Sequence, residues 1–74
     1  MRKWKSHKTV EAEPIVSLGP ESCAIANGDT VAIPRNFTAR GTPDPGDYLV
    51  RYEDGYLSWS PKKAFEDGYS VLPD

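Results

Sequence analysis

A chain of 74 residues, 38% of them hydrophobic, builds one domain around one modest core, and its stability is marginal. One cysteine and one histidine exclude an internal disulfide and a closed Cys/His zinc site, so no metal or cofactor is expected, and a homo-oligomer is the expected supplement to so small a core. The net charge of −2 is uneven, because Arg2, Lys3, Lys5 and Lys8 stand together without an acid and leave an acidic remainder that disfavours nucleic acid as a partner.

Residues 1–8 read as a basic arm, either solvated or forming an edge strand guarded by lysines. No apolar leader follows the arm, and no stretch reaches the length of a membrane span. With a lone cysteine, the expected location is a reducing cytoplasm, with no membrane partner. Thr9 to Leu18 reads as a strand, with Val10, Ala12, Val16 and Leu18 on the core face and Glu11, Glu13 and Ser17 outside. Pro14 places this strand at an edge or a bulge, and Gly19-Pro20 ends it.

Ser22 to Ile33 reads as a hairpin around Asn27-Gly28. A two-residue loop would set Ile25 opposite Thr30 and Val31 opposite Ala24, splitting the large apolar residues between faces. A three-residue loop, Asn27-Gly28-Asp29, pairs Ile25 with Val31 and Cys23 with Ile33 on one face. The hydrophobic register favours the longer loop and makes Cys23 a core residue. Pro34 to Arg40 reads as a single helical turn with Phe37 inward and Gly41 as its stop. Gly41 to Gly46 is a loop dense in Gly and Pro.

Asp54-Gly55 is a strong two-residue turn signal. Folding about it pairs Tyr52 with Leu57 and Val50 with Trp59, so that Tyr48, Val50, Tyr52, Leu57 and Trp59 share a core face. Leu49, Arg51, Glu53, Tyr56, Ser58 and Ser60 then face outward. Ser60 reads as an N-cap with Pro61 at the first helical position. The predicted helix is Pro61 to Asp67, with Ala64 and Phe65 inward and Gly68 as a left-handed cap. Tyr69 to Leu72 returns as a short strand that Pro73 ends. Five or six short strands with one short helix near the C-terminus predict a mainly β fold, a small SH3-like, partly open barrel.

No constellation of acid, base and nucleophile stands out, and the chain reads as non-enzymatic. His7 lies in the basic arm, and the pairs Glu53-Asp54 and Glu66-Asp67 sit beside turn glycines. One cluster offers a candidate ligand site. Ser60, Lys62 and Lys63 surround a helix start with free N–H groups, and Arg51, Tyr56 and Ser58 stand on the adjoining hairpin face. Together these six residues suit a small anionic, nucleotide-like ligand. The bland alternative is a capped helix with solvated lysines and a surface ion pair at Arg51.

The segments Arg2-Lys3-Trp4-Lys5 and Thr9-Val10-Glu11-Ala12, with Pro45-Gly46-Asp47-Tyr48-Leu49-Val50, Asp54-Gly55-Tyr56, Trp59-Ser60-Pro61, Phe65 and Tyr69, resemble a family of small bacteriophage and prophage proteins. The likeness is strongest over the last thirty residues or so. The order Asp54-Gly55, Trp59, Pro61 and a short helix is similar to the C-terminal part of phage sponges that inhibit Thoeris immunity. That family has a longer helical N-terminal part, which this chain lacks. The resemblance implies a homo-oligomeric phage accessory protein in the host cytoplasm that sequesters a nucleotide immune signal without cleaving it. The alternative is a protein-interaction module that inhibits a host protein or serves as a minor virion component.

Overall fold

The computed structural model describes residues 1–6 and 8–72; His7 and the strand end read at Pro73 lie outside them. Its described residues form seven antiparallel strands, β1 (Arg2–Lys5), β2 (Thr9–Leu18), β3 (Ser22–Ile25), β4 (Thr30–Ala32), β5 (Tyr48–Arg51), β6 (Leu57–Ser60) and β7 (Ser70–Val71). A 3-10 turn spans Arg35–Thr38, with Phe37 buried as its sequence suggests, and one helix, α1, spans Lys62–Gly68. The mainly β class therefore holds. β4, β6 and β7 each pair on one side only, so the sheet is open and not a closed barrel.

β2 is the spine. Thr9 to Ala12 pair with β1, Glu11 to Pro14 with β5, and Ile15 to Leu18 with β3. Pro14 falls where the segment bonded to β1 has ended and that bonded to β3 begins, so its missing N–H interrupts no ladder. The ladder to β3 slips between Ile15 and Ser17, and Val16 is the extra residue. This overturns the simple alternation: Val16 is 55% exposed, whereas Glu13 and Ile15 are buried beside Val10 and Ala12. The buried Glu13 carboxylate accepts a hydrogen bond from the Arg2 N–H at 2.8 Å.

The basic arm is also corrected, since Arg2–Lys5 is an interior strand between β2 and β7. Trp4 is buried opposite Val10 and Val71, and its indole N–H donates to the Ala12 carbonyl at 3.2 Å. Alternation explains the charge pattern, because Lys3 and Lys5 point away from the face that Trp4 enters.

Both hairpins use three-residue turns, and both registers differ from expectation. In the first, Cys23 faces Val31 and Ala24 faces Thr30, so the loop is Ala26-Asn27-Gly28. The slip from the expected register is two residues, which leaves Cys23, Ile25 and Val31 on one face. In the second, Leu49 faces Trp59 and Arg51 faces Leu57, with Glu53-Asp54-Gly55 as the loop. Here the slip is one residue, and every side chain of β6 changes face relative to β5. Gly28 and Gly55 have φ of 95° and 89°, the left-handed position that closes a type I turn with a bulge.

The consequence is two cores, one on each side of β5. Trp4, Val10, Ala12, Tyr48, Val50 and Phe65 form the first, with Tyr52 and Tyr69 packed against it. Ile15, Cys23, Ile25, Phe37 and Leu49 form the second, flanked by Leu57 and Trp59. Leu49, expected outside, is fully buried, and Trp59 packs with it instead of with Val50. Burial pushes the Cys23 thiol up, as suits an unreactive core residue.

α1 begins one residue later than predicted, with Pro61 at the cap position and no side-chain cap from Ser60. Only Phe65 is buried; Ala64 is exposed, and Gly68 is the last helical residue with no left-handed φ. Phe65 anchors the helix through an aromatic column, stacked at 4.5 Å on both Tyr48 and Tyr69 and edge-on to Trp4 at 5.0 Å. The Tyr48 hydroxyl donates to Glu66 Oε2 at 2.7 Å. Burial and that carboxylate raise the Tyr48 pKa from 10.0 to about 12.

Two outcomes follow from this packing. Trp4→Ala should lower unfolding free energy by about 3–5 kcal/mol in urea titration, a loss no solvated arm would show. Because the folded pKa of Tyr48 is raised, its stabilisation is complete below pH 10 and is lost as pH climbs toward about 12. Tyr48→Phe should flatten that part of the stability profile in alkaline urea titrations.

Candidate functional site

The six residues proposed from sequence do not assemble into one patch. Arg51 shares a face with Leu49, Leu57 and Trp59 and pairs with Glu11 directly across the β2–β5 ladder, Nε to Oε1 being 3.0 Å. That hydrogen bond holds the Glu11 carboxyl below its usual range. Ser58 and Ser60 lie on the other face of the hairpin, opposite Val50 and Tyr48. Ser58 Oγ accepts from Arg40 Nη2 at 3.3 Å, and the same guanidinium donates to the Trp59 carbonyl at 2.8 Å and lies over the Trp59 ring.

The helix start is occupied as well. The Lys62 N–H donates to Asp47 Oδ1 at 2.9 Å, and Asp47 Oδ2 accepts from the Asp44 N–H at 2.9 Å. A carboxylate from the distant end of the Pro45-Gly46 loop thus caps α1, the role expected of Ser60, and meets the positive end of its dipole. Lys63 pairs with Asp67 at 3.2 Å, and both lysines are exposed. An anion approaching this helix start would have to displace a covalently tethered carboxylate.

Tyr56 is brought into a different arrangement. The Tyr52 N–H donates to the Tyr56 carbonyl across the hairpin end at 3.0 Å, and the two side chains emerge on the same face. Their ring centroids are 6.1 Å apart at an interplanar angle of 31°. Asp54 Oδ1 accepts from the Tyr56 N–H at 3.0 Å and fixes the turn. The Lys8 ammonium stands 4.7 Å from the centre of the Tyr52 ring. Lys8, Tyr52, Glu53, Asp54 and Tyr56 line an open hollow of about 480 Å³. Tyr52 is half-buried, and burial raises its pKa. Tyr56 is 52% exposed and also lines a second, apolar hollow with Ile33, Pro34 and Leu57.

Sequence reasoning misses Tyr52 because the two-residue turn places it and Tyr56 on opposite faces, and misses Lys8 because residues 1–8 read as a basic arm. With a three-residue turn, residues 52 and 56 become a cross-strand pair. A Tyr-Glu-Asp-Gly-Tyr segment read as a type I turn with Gly in the left-handed position would have revealed them.

Among the described residues, no group of three or more His, Cys, Asp or Glu side chains is arranged to hold a metal, and no helix is long and apolar enough to cross a membrane. No family model matches the chain, and no curated protein or solved structure matches it.

Asp47→Ala should cost about 0.5–2 kcal/mol of stability in urea titration, the range for loss of a helix N-cap. Ser60→Ala, which removes no cap, should change it by less than about 0.5 kcal/mol.

Proposed function

We propose that this protein is a non-catalytic binding module that holds a small nucleotide-like ligand on the Tyr52–Tyr56 face. The observation that carries the reading is the pairing of exposed Tyr56 with half-buried Tyr52, with a lysine ammonium beside them in a hollow of about 480 Å³. Tyrosine rings offer a base a stacking surface, and a mobile ammonium offers its phosphate a counter-charge. The anion partner is then Lys8, and Lys62 and Lys63 leave the site.

The resemblance to phage proteins supports a setting for this activity. In it, the chain is a phage accessory protein that sequesters a host immune nucleotide in the bacterial cytoplasm. The small core and the edges that β4 and β7 leave unpaired among the described residues support a homo-oligomer as the working form. An SH3-like, partly open barrel remains the finer description of the scaffold under this proposal.

Calorimetry against linear and cyclic mononucleotides of all four bases tests the reading. At least one should bind and be recovered unaltered, and Tyr56→Ala should weaken it about tenfold or more, on the scale of one lost base stack. No binding by any of them, or equal binding by the variant, contradicts the proposal.

The apolar hollow beside Tyr56 favours a second reading, a protein-interaction module. On that reading Ile33→Asp abolishes co-purification of a host or phage protein, and Lys8→Ala leaves it unchanged.

A further inference from the structure

Glu53 is the one member of the tyrosine-lined hollow whose chemistry the nucleotide reading leaves unused. Its neighbour Asp54 is committed to the Tyr56 N–H and so to the turn itself. Lys8 is engaged with the Tyr52 ring. Glu53 is exposed at the first position of the loop and lines the hollow beside both rings, and among the described residues its carboxylate makes no hydrogen bond or ion pair. It therefore leaves a carboxylate without a partner at the edge of the stacking surface, between this hollow and a neighbouring one that it lines with Lys3 and Arg51.

A carboxylate with both oxygens free is matched by two adjacent N–H donors, as in its fork-to-fork pairing with a guanidinium. The nucleobases differ in whether they can supply such a pair. Guanine offers N1–H and the exocyclic N2–H side by side. Adenine sets its N6 amino group next to the N1 acceptor, and cytosine its N4 amino group next to N3, so a carboxylate there faces a lone pair. Uracil and thymine flank a single N–H with two carbonyls. Only guanine satisfies both oxygens of Glu53 without setting acceptor against acceptor.

We infer that the hollow selects guanine nucleotides, Glu53 reading the N1–H and N2–H edge of a base that lies on the tyrosines while Lys8 turns to its phosphate. This selection rests on the nucleotide reading above and adds base identity to it. The well-formed bidentate contacts that proteins make to base edges discriminate by about 5-fold to 150-fold, which sets the size of the effect.

The test compares binding of GMP, IMP and AMP to the full chain and to its Glu53→Gln variant by calorimetry at one fixed salt concentration. Glu53 lies exposed in a turn whose hydrogen bonds come from its neighbours, so the variant keeps the fold, which circular dichroism checks. The expected result is GMP about tenfold or more tighter than AMP. IMP, which lacks the N2 amino group, should fall between them. Glu53→Gln should weaken GMP about tenfold or more without weakening AMP, since a glutamine amide meets the amino donor and adjacent ring-nitrogen acceptor of adenine. Equal binding of GMP and AMP, or an equal loss of both in the variant, overturns the selection and leaves the nucleotide reading standing. Absence of binding by all three, and by every other nucleotide in the wider panel, removes both.

Discussion

Tyr48, Leu49 and Val50 are consecutive in β5 and all buried, so this strand must be covered on both faces. Alternation sends Leu49 to one side and Tyr48 and Val50 to the other, and each side needs its own cover. One is supplied by Trp4, Phe65 and the aromatic column of α1, the other by the β3–β4 hairpin with Phe37 and Trp59. β2 meets the same demand by its length, giving Val10 and Ala12 to the first core and Ile15 to the second. A chain of 74 residues therefore covers both sides of its central strands, and it does so with short elements fixed at a few points.

Those fixed points are polar contacts between distant segments. Asp47 holds the start of α1 through the Lys62 N–H, and its own carbonyl accepts from the Ile15 N–H, so one residue ties loop, helix and spine. Tyr48 and Glu66 tie the helix to β5 from the other side. Arg40 stands where a further strand would lie, bonding the outward Trp59 carbonyl of β6 and stacking on its ring. An open edge is thereby partly satisfied by a side chain, which also carries a charge that resists edge-to-edge pairing.

The elements were legible in the sequence where local chemistry sets them. The spine, both hairpins, the turn at Phe37 and the short helix after Pro61 all follow from alternation, Gly and Pro. Which side chains share a face was legible only where one face is polar, and neither hairpin's register was. In the first hairpin the large apolar residues all lie on one side, so an error of two residues kept every face correct. In the second, three successive buried residues in β5 remove the alternation that would choose between registers, and the Asp54-Gly55 signal pointed to the shorter turn. Trp4 was hidden for a different reason, a single apolar residue among lysines whose strand exists only because β2 and β7 pair with it. The candidate site inherits the register error. Arg51 and Ser58 belong to opposite faces, while Tyr52 and Tyr56 share one, and the lysine that reaches them comes from a segment read as a solvated arm or a lysine-guarded edge strand.

The register of the β5–β6 hairpin decides which side chains share a face and hence that the two tyrosines meet. Proton NMR reads it directly, since cross-strand Hα–Hα contacts are strong only between directly opposed residues of non-hydrogen-bonded pairs. The predicted result is a strong contact between Leu49 and Trp59 and another between Arg51 and Leu57. A strong contact between Val50 and Trp59 in their place would contradict the account and dissolve the tyrosine pair.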